Sequence, residues 1–140
     1  MPPALLPVLD RLERAFEAAW RDDGFRRSLD DLSHRFVGRP TPLFEATRLI
    51  PAGEGARLVL KRDDLSAGGA AATPALGQCL LARRMGFSRV VTDTGSGENG
   101  VAVAAVAVQL GLSCTVFMGA RDAVRQRAAV KKMRAFGAEL

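Results

Sequence analysis

Tyrosine is missing from this sequence, tryptophan and histidine occur once each, and lysine occurs three times against seventeen arginines. Seven phenylalanines complete a sparse aromatic set, so small side chains, alanine above all, must do much of the packing. No apolar run approaches the roughly 18 residues that would suggest a membrane span, and none is expected. The stretch from Met1 to Pro7 has no basic segment leading into an apolar core. No secretory signal is read there, and a cytoplasmic location is the expectation. Cys79 and Cys114 lie far apart without a C-x-x-C spacing, and His34 stands alone. Those residues make no metal site, and two buried thiols in a reducing compartment are expected instead.

What is present reads as one domain over residues 1–140, with 48% apolar and 25% charged residues, the balance of a soluble globular protein. The formal charge of +5 raises the question of a polyanion partner. The densest basic stretch, Arg121 to Arg134, answers against nucleic acid. At helical spacing Arg121, Arg125 and Lys132 share one face and Arg127, Lys131 and Arg134 another, with Val130, Met133 and Phe136 between them. That pattern is an amphipathic helix with a solvated shell, and no aromatic side chain interleaves with the charges to stack a base.

Residues 1–36 read as a helical lead-in. Leu5, Val8, Leu9, Leu12, Phe16 and Trp20 form one apolar stripe, and Phe25, Leu29, Leu32 and Phe36 a second, with Asp22 or Asp23 placed to cap the second helix. Gly38, Pro40 and Pro42 then force an extended segment. Residues 57–140 follow an α/β rhythm: a strand over Arg57–Lys61, helix Pro74–Met85, a buried strand Arg89–Thr94, helix Asn99–Leu110, strand Ser113–Met118 and helix Asp122–Phe136. The three helices stop at Gly86, Gly111 and Gly137, 25 and 26 residues apart, where the chain needs a left-handed residue. The expected fold is therefore α/β, two N-terminal helices followed by a short parallel βαβαβα unit forming an incomplete open sheet. Ala138-Glu139-Leu140 falls where a further strand would start, which predicts a truncated sequence or a partner on the uncovered sheet edge.

Chemistry points to Thr92-Asp93-Thr94-Gly95-Ser96-Gly97-Glu98-Asn99-Gly100, between a strand and a helix. Glycines allow a tight turn, and a helix N-terminus offers unpaired N–H groups to a carboxylate or phosphate at the strand end where open α/β sheets bind ligands. Thr94, Gly95, Ser96, Gly97, Glu98 and Asn99 are the candidate substrate-binding residues, and Asp93 is a candidate catalytic carboxylate. A glycine-rich turn that binds nothing is the alternative reading of the same residues.

Several segments carry a resemblance. Gly38-Arg39-Pro40-Thr41-Pro42-Leu43 resembles the Gly-Arg-Pro-Thr-Pro-Leu segment of tryptophan synthase β chains, and Leu60-Lys61-Arg62-Asp63-Asp64-Leu65 their Leu-Lys-Arg-Glu-Asp-Leu. Ala75-Leu76-Gly77-Gln78, Asp93-Thr94-Gly95-Ser96-Gly97 and Gly137-Ala138-Glu139 continue the likeness in order along the whole chain. The resemblance implies a truncated fold-type II pyridoxal-phosphate domain, a family activity joining serine and indole, and an α–β complex. It also implies a lysine that holds the cofactor as a Schiff base.

Counting back from Gln78 puts Ala71 at that lysine and Ala70 at the histidine before it. Lys61 falls on the family's own strand lysine, and Lys131 and Lys132 lie far along the chain. Asp93 stands for the family's catalytic glutamate one methylene short, Glu98 replaces a glutamine and Asn99 a histidine. A missing amine cannot form an imine, so no covalently held cofactor is expected. The leading expectation is a degenerate, truncated tryptophan synthase β-like protein without independent activity, either a remnant or a non-catalytic partner of a tryptophan-synthase-like subunit, or self-associating through its sheet edge. Two readings stay open beside it: a cofactor-independent enzyme or binder of a small carboxylate or indole, with Asp93 as general base, and a basic interaction module.

Overall fold

The computed structural model describes residues 2–50 and 55–140; Met1 and residues 51–54 lie outside the described part. Helix α1 spans Leu6–Arg21 and helix α2 Asp23–Leu32. Between them Asp22 takes an extended conformation, and its carboxylate accepts the N–H groups of Gly24 at 2.7 Å and Phe25 at 3.4 Å, capping α2. The same carboxylate accepts from Arg84 at 2.5 Å, tying the lead-in to the body. That guanidinium first, and the Gly24 N–H next, hold the Asp22 carboxyl below the usual carboxylate range. A π-turn over Ser33–Val37 ends at Gly38, whose φ of 84° only glycine adopts without strain.

The apolar stripe on α1 is where sequence and structure part. Its C-terminal end is seated through Ala15 and Ala19, but Leu9, Leu12, Phe16 and Trp20 remain exposed, the last two at 53%. Phe16 and Trp20 stack on each other with centroids 6.1 Å apart. The stripe makes a helix without finding a core, because α3 lies near only one edge of it and leaves an apolar groove between them. On α2, by contrast, Phe25 is buried and Leu29 and Leu32 pack against the core, joined by Phe36 from the π-turn that follows.

Strand β1 (Leu43–Glu45) pairs antiparallel with β2 (Val59–Lys61), with Phe44 opposite Leu60. The first strand of the expected parallel unit thus belongs to a separate two-stranded ribbon, and its partner β1 carries no clear strand signal of its own. The remaining rhythm holds. Helix α3 spans Ala72–Arg84 with Pro74 in its first turn, β3 Arg89–Thr94, α4 Glu98–Gln109 and β4 Ser113–Met118. Strands β3 and β4 are parallel from Arg89↔Ser113 to Thr94↔Met118. Glu139 starts a third parallel line beside β4: its N–H donates to the Cys114 carbonyl at 3.0 Å, and its carbonyl accepts the Val116 N–H at 2.8 Å. Gly86, Gly111 and Gly137 have φ of 85°, 70° and 79°.

The core lies between one face of this sheet and the helices. Val90, Thr94, Cys114 and Val116 point inward, and α4, rich in alanine and valine, is buried along most of its length. Leu76, Val106, Val116 and Met133 are fully buried, each contributing about 1.5–3 kcal/mol by leaving water. The other sheet face is bare, with Val91 57% and Phe117 63% exposed, so β3 is a half-covered strand rather than the buried one expected. The last predicted helix is also two, α5 (Ala120–Arg125) and α6 (Arg127–Ala135), broken at Gln126 with φ −102° and ψ 41°. The break re-aims α6 so that Ala129 and Met133 meet the two glycines flanking the start of α4. No helix among the described residues is long and apolar enough to cross a membrane.

Candidate functional site

The glycine-rich turn connects the end of β3 to the start of α4, and its glycines serve different ends. Gly97 has φ 90°, and a Cβ there would lie 2.3 Å from the Ala129 Cβ. A Cβ on Gly100 would meet Met133 Sδ at 2.5 Å and Thr94 Cγ2 at 2.9 Å. Gly97 is required by the close approach of α6, and Gly100 by α6 together with Thr94 and Val116 of the sheet beneath α4. Gly95 has open space where its side chain would be.

The turn spends several polar groups on itself. Buried Thr94 accepts the Gly97 N–H through Oγ1 at 3.0 Å, and Ser96 Oγ accepts the Glu98 N–H at 3.4 Å. The Asn99 amide donates to Thr92 Oγ1 at 2.8 Å and to the Asp93 carbonyl at 3.1 Å, so this side chain staples the turn. Asp93 stands opposite Phe117 on the bare face of the sheet, exposed to water.

Next to the turn opens a cavity of about 900 Å³, whose walls include Ala70, Ser96, Gly97, Glu98 and Lys132. The structure thus brings three of the sequence-predicted residues, Ser96, Gly97 and Glu98, to one hollow with Ala70. Asp93, Thr94, Gly95 and Asn99 are not among its walls. Ala71, at the end of a 3₁₀ turn over Gly69–Ala71, packs partly buried against the core.

Sequence reasoning missed two contributors. Asp63 reaches the cavity wall from the loop after β2. Its carboxylate accepts from Arg39 at 2.7 and 3.3 Å and from Thr41 Oγ1 at 2.8 Å. The Thr41 hydroxyl first and the Arg39 guanidinium next hold the Asp63 carboxyl below the usual range. Arg39 also donates through Nε to Thr73 Oγ1 at 3.0 Å, and the Lys61 ammonium donates to the Thr41 carbonyl. The Gly-Arg-Pro-Thr-Pro and Leu-Lys-Arg-Asp-Asp motifs are therefore clasped together, and the clasp positions the start of α3. Lys132 is the second: it lies on α6, remote in sequence, and reaches the cavity because α6 is drawn onto α4 by the Gly97–Ala129 approach.

Comparison with known proteins agrees with this architecture. A sequence model of the family described as pyridoxal-phosphate dependent enzyme matches residues 35–140. The chain is also similar to a protein of Corynebacterium efficiens named tryptophan synthase beta chain 2, with 47% identity over 144 aligned positions that cover 100% of this chain and 33% of that protein. The chain thus spans about a third of the length of the curated relative it matches.

Proposed function

Because the chain belongs to the family of pyridoxal-phosphate-dependent enzymes, we propose that it is a degenerate tryptophan synthase β-like protein that does not join serine to indole by itself and acts as a non-catalytic partner of a related subunit. One observation carries this reading. From Gly68 to Pro74 the chain is Gly-Gly-Ala-Ala-Ala-Thr-Pro, with Ala71 where the resemblance calls for an imine-forming lysine.

The residues present do not fit a covalently held aldehyde cofactor. Ala71 offers a methyl group turned partly into the core. Lys61 is engaged by the Thr41 carbonyl on the far side of the Arg39–Asp63 clasp. Lys132, the one side-chain amine on the cavity wall among the described residues, is an exposed side chain on α6. Asp93 is no better placed as a general base, because it lies on the bare face of the sheet, away from the cavity. A candidate base must come within hydrogen-bond reach of the proton it takes.

The test is borohydride reduction of the purified chain with an equimolar amount of pyridoxal phosphate, followed by peptide mass spectrometry. No saturable adduct is expected in the loop from Gly68 to Pro74 or elsewhere. A stoichiometric adduct at one lysine would refute the proposal.

A second reading is favoured by the 900 Å³ cavity, which lies within the size range of small-molecule sites. In it the chain retains a ligand site without the covalent chemistry.

A further inference from the structure

Strand β3 has one paired edge and one free edge. Strand β4 runs along the first, and among the described residues no strand lies against the second. Natural sheets protect such an edge with proline, a bulge or a covering loop. Between Arg89 and Thr94 there is no proline, and the register with β4 runs without a bulge. A hollow of about 200 Å³ lies beside this strand, reaching Val90, Val91 and Thr92 from Gln78 and Ala82 of α3.

Which backbone groups face outward follows from the phase of the ladder. The Ser113 N–H donates to the Ser88 carbonyl at 2.9 Å, and in a parallel pair alternate residues of a strand bond the same neighbour. Val90, Thr92 and Thr94 therefore bond β4, while Arg89, Val91 and Asp93 turn their N–H and C=O groups to the free edge. The Asp93 carbonyl is taken there by the Asn99 amide at 3.1 Å, which marks where the edge ends.

The side chains of the same three residues are exposed on the bare face of the sheet. Arg89 and Asp93 flank Val91 at equal spacing. Arg89 donates to Thr115 Oγ1 at 2.9 Å, and among the described residues neither Arg89 nor Asp93 takes part in an ion pair.

A strand so patterned is complementary to itself. In a two-fold pair, residue i meets residue j and j meets i. With two copies antiparallel and the axis at Val91, each Arg89 stands opposite the partner's Asp93, and the two Val91 residues stand opposite each other. The Val91 pair exchanges both backbone hydrogen bonds, and each Asp93 N–H faces the partner's Arg89 carbonyl. Opposite charges directly across a strand pair stabilise it and like charges oppose it. Sliding the axis along the strand parts both ion pairs, so charge selects this register.

We infer that the free edge of β3 joins two copies of this chain into an antiparallel, two-fold dimer, with Arg89 and Asp93 setting its register across Val91. The edge lies on the side of β3 away from β4, whereas Glu139 occupies the far side of β4. An interface built on one short strand is small, and interfaces of that size are weak and reversible.

Sedimentation velocity over a concentration series tests it. The unsubstituted chain is expected to shift from monomer to dimer. Arg89→Asp places two aspartates opposite each other, and Asp93→Arg two arginines. Each should weaken the dimer about tenfold, the scale of losing two exposed ion pairs. An equimolar mixture of the two variants restores both pairs and should dimerise as the unsubstituted chain does, as should the variant carrying both substitutions. Both side chains are exposed, and circular dichroism verifies that each variant folds. A chain that stays monomeric to its solubility limit would overturn the dimer. A dimer indifferent to both single substitutions, or a mixture no better than either variant alone, would overturn the edge and its register. None of these results depends on the borohydride experiment, so the two proposals fail separately.

Discussion

Replacing Gly97 by alanine puts the packing of α6 on the glycine-rich turn to a quantitative test. Gly97 has φ 90°, and an L-residue held in left-handed backbone costs about 1–2 kcal/mol. The new methyl would stand 2.3 Å from the Ala129 Cβ, far inside the roughly 3.5–4.0 Å at which carbon atoms rest against each other. Ala129 has no rotamer with which to yield, so α6 must shift, and overpacking of this kind adds about 1–3 kcal/mol. The sum is about 2–5 kcal/mol, a large share of the roughly 5–15 kcal/mol that holds a domain folded. Thermal melting followed by circular dichroism should fall by about 10 °C at a few degrees per kcal/mol. Ala129→Gly removes the colliding methyl at a helix-propensity cost of about 1 kcal/mol. In the double variant the two effects should fall short of their sum by about 1–3 kcal/mol, the steric part alone being relieved. Strict additivity would refute the close approach of α6 and leave only the backbone conformation as the reason for glycine. A loss below about 0.5 kcal/mol for Gly97→Ala, the range of an ordinary surface change, would refute both.

Two further expectations follow from the clasp and the core. The Asp63 carboxyl is held below its ordinary value by Thr41 and Arg39, so the folded state favours its ionised form. The stability this gives is complete above the unfolded value of about 3.9 and is lost as pH falls through the folded one. Asp63→Asn should therefore lower stability at neutral pH and flatten the acid limb of the pH–stability curve. An acid limb as steep as that of the unsubstituted chain would count against the clasp. Burial pushes the Cys79 thiol up to about 11 and raises Cys114 as well. At pH 8 both should react slowly with a thiol reagent in the folded chain and promptly in urea, and rapid labelling of the native protein would contradict their burial.

How far the fold could be read in advance depended on whether the signal was local. Strands β3 and β4 match their predicted bounds because each lies between a helix-ending glycine and a turn. Gly86, Gly111 and Gly137 answer a backbone requirement that no distant contact alters. Asp22 caps α2 for the same reason. What failed to show was long-range. Leu43–Glu45 is a strand only because Val59–Lys61 comes beside it. The break at Gln126 is invisible in a sequence whose amphipathic pattern runs on unbroken. Arg39 and Asp63 stand 24 positions apart with no periodicity to join them. At the site, the turn was legible, but the direction of its side chains was not. Asn99 turns back to staple β3, Asp93 faces the bare side of the sheet, and Lys132 arrives from a helix that local pattern could not aim.

The uncovered side of α1 has a consequence for how this chain responds to temperature. With Leu9, Leu12, Phe16 and Trp20 already wetted in the native state, unfolding releases less greasy surface into water than a chain of this length ordinarily would. The heat-capacity increment shrinks accordingly, since it is set mainly by newly hydrated hydrocarbon. The dome of free energy against temperature is therefore broad and shallow, and any surface that seats on this helix both deepens it and narrows it.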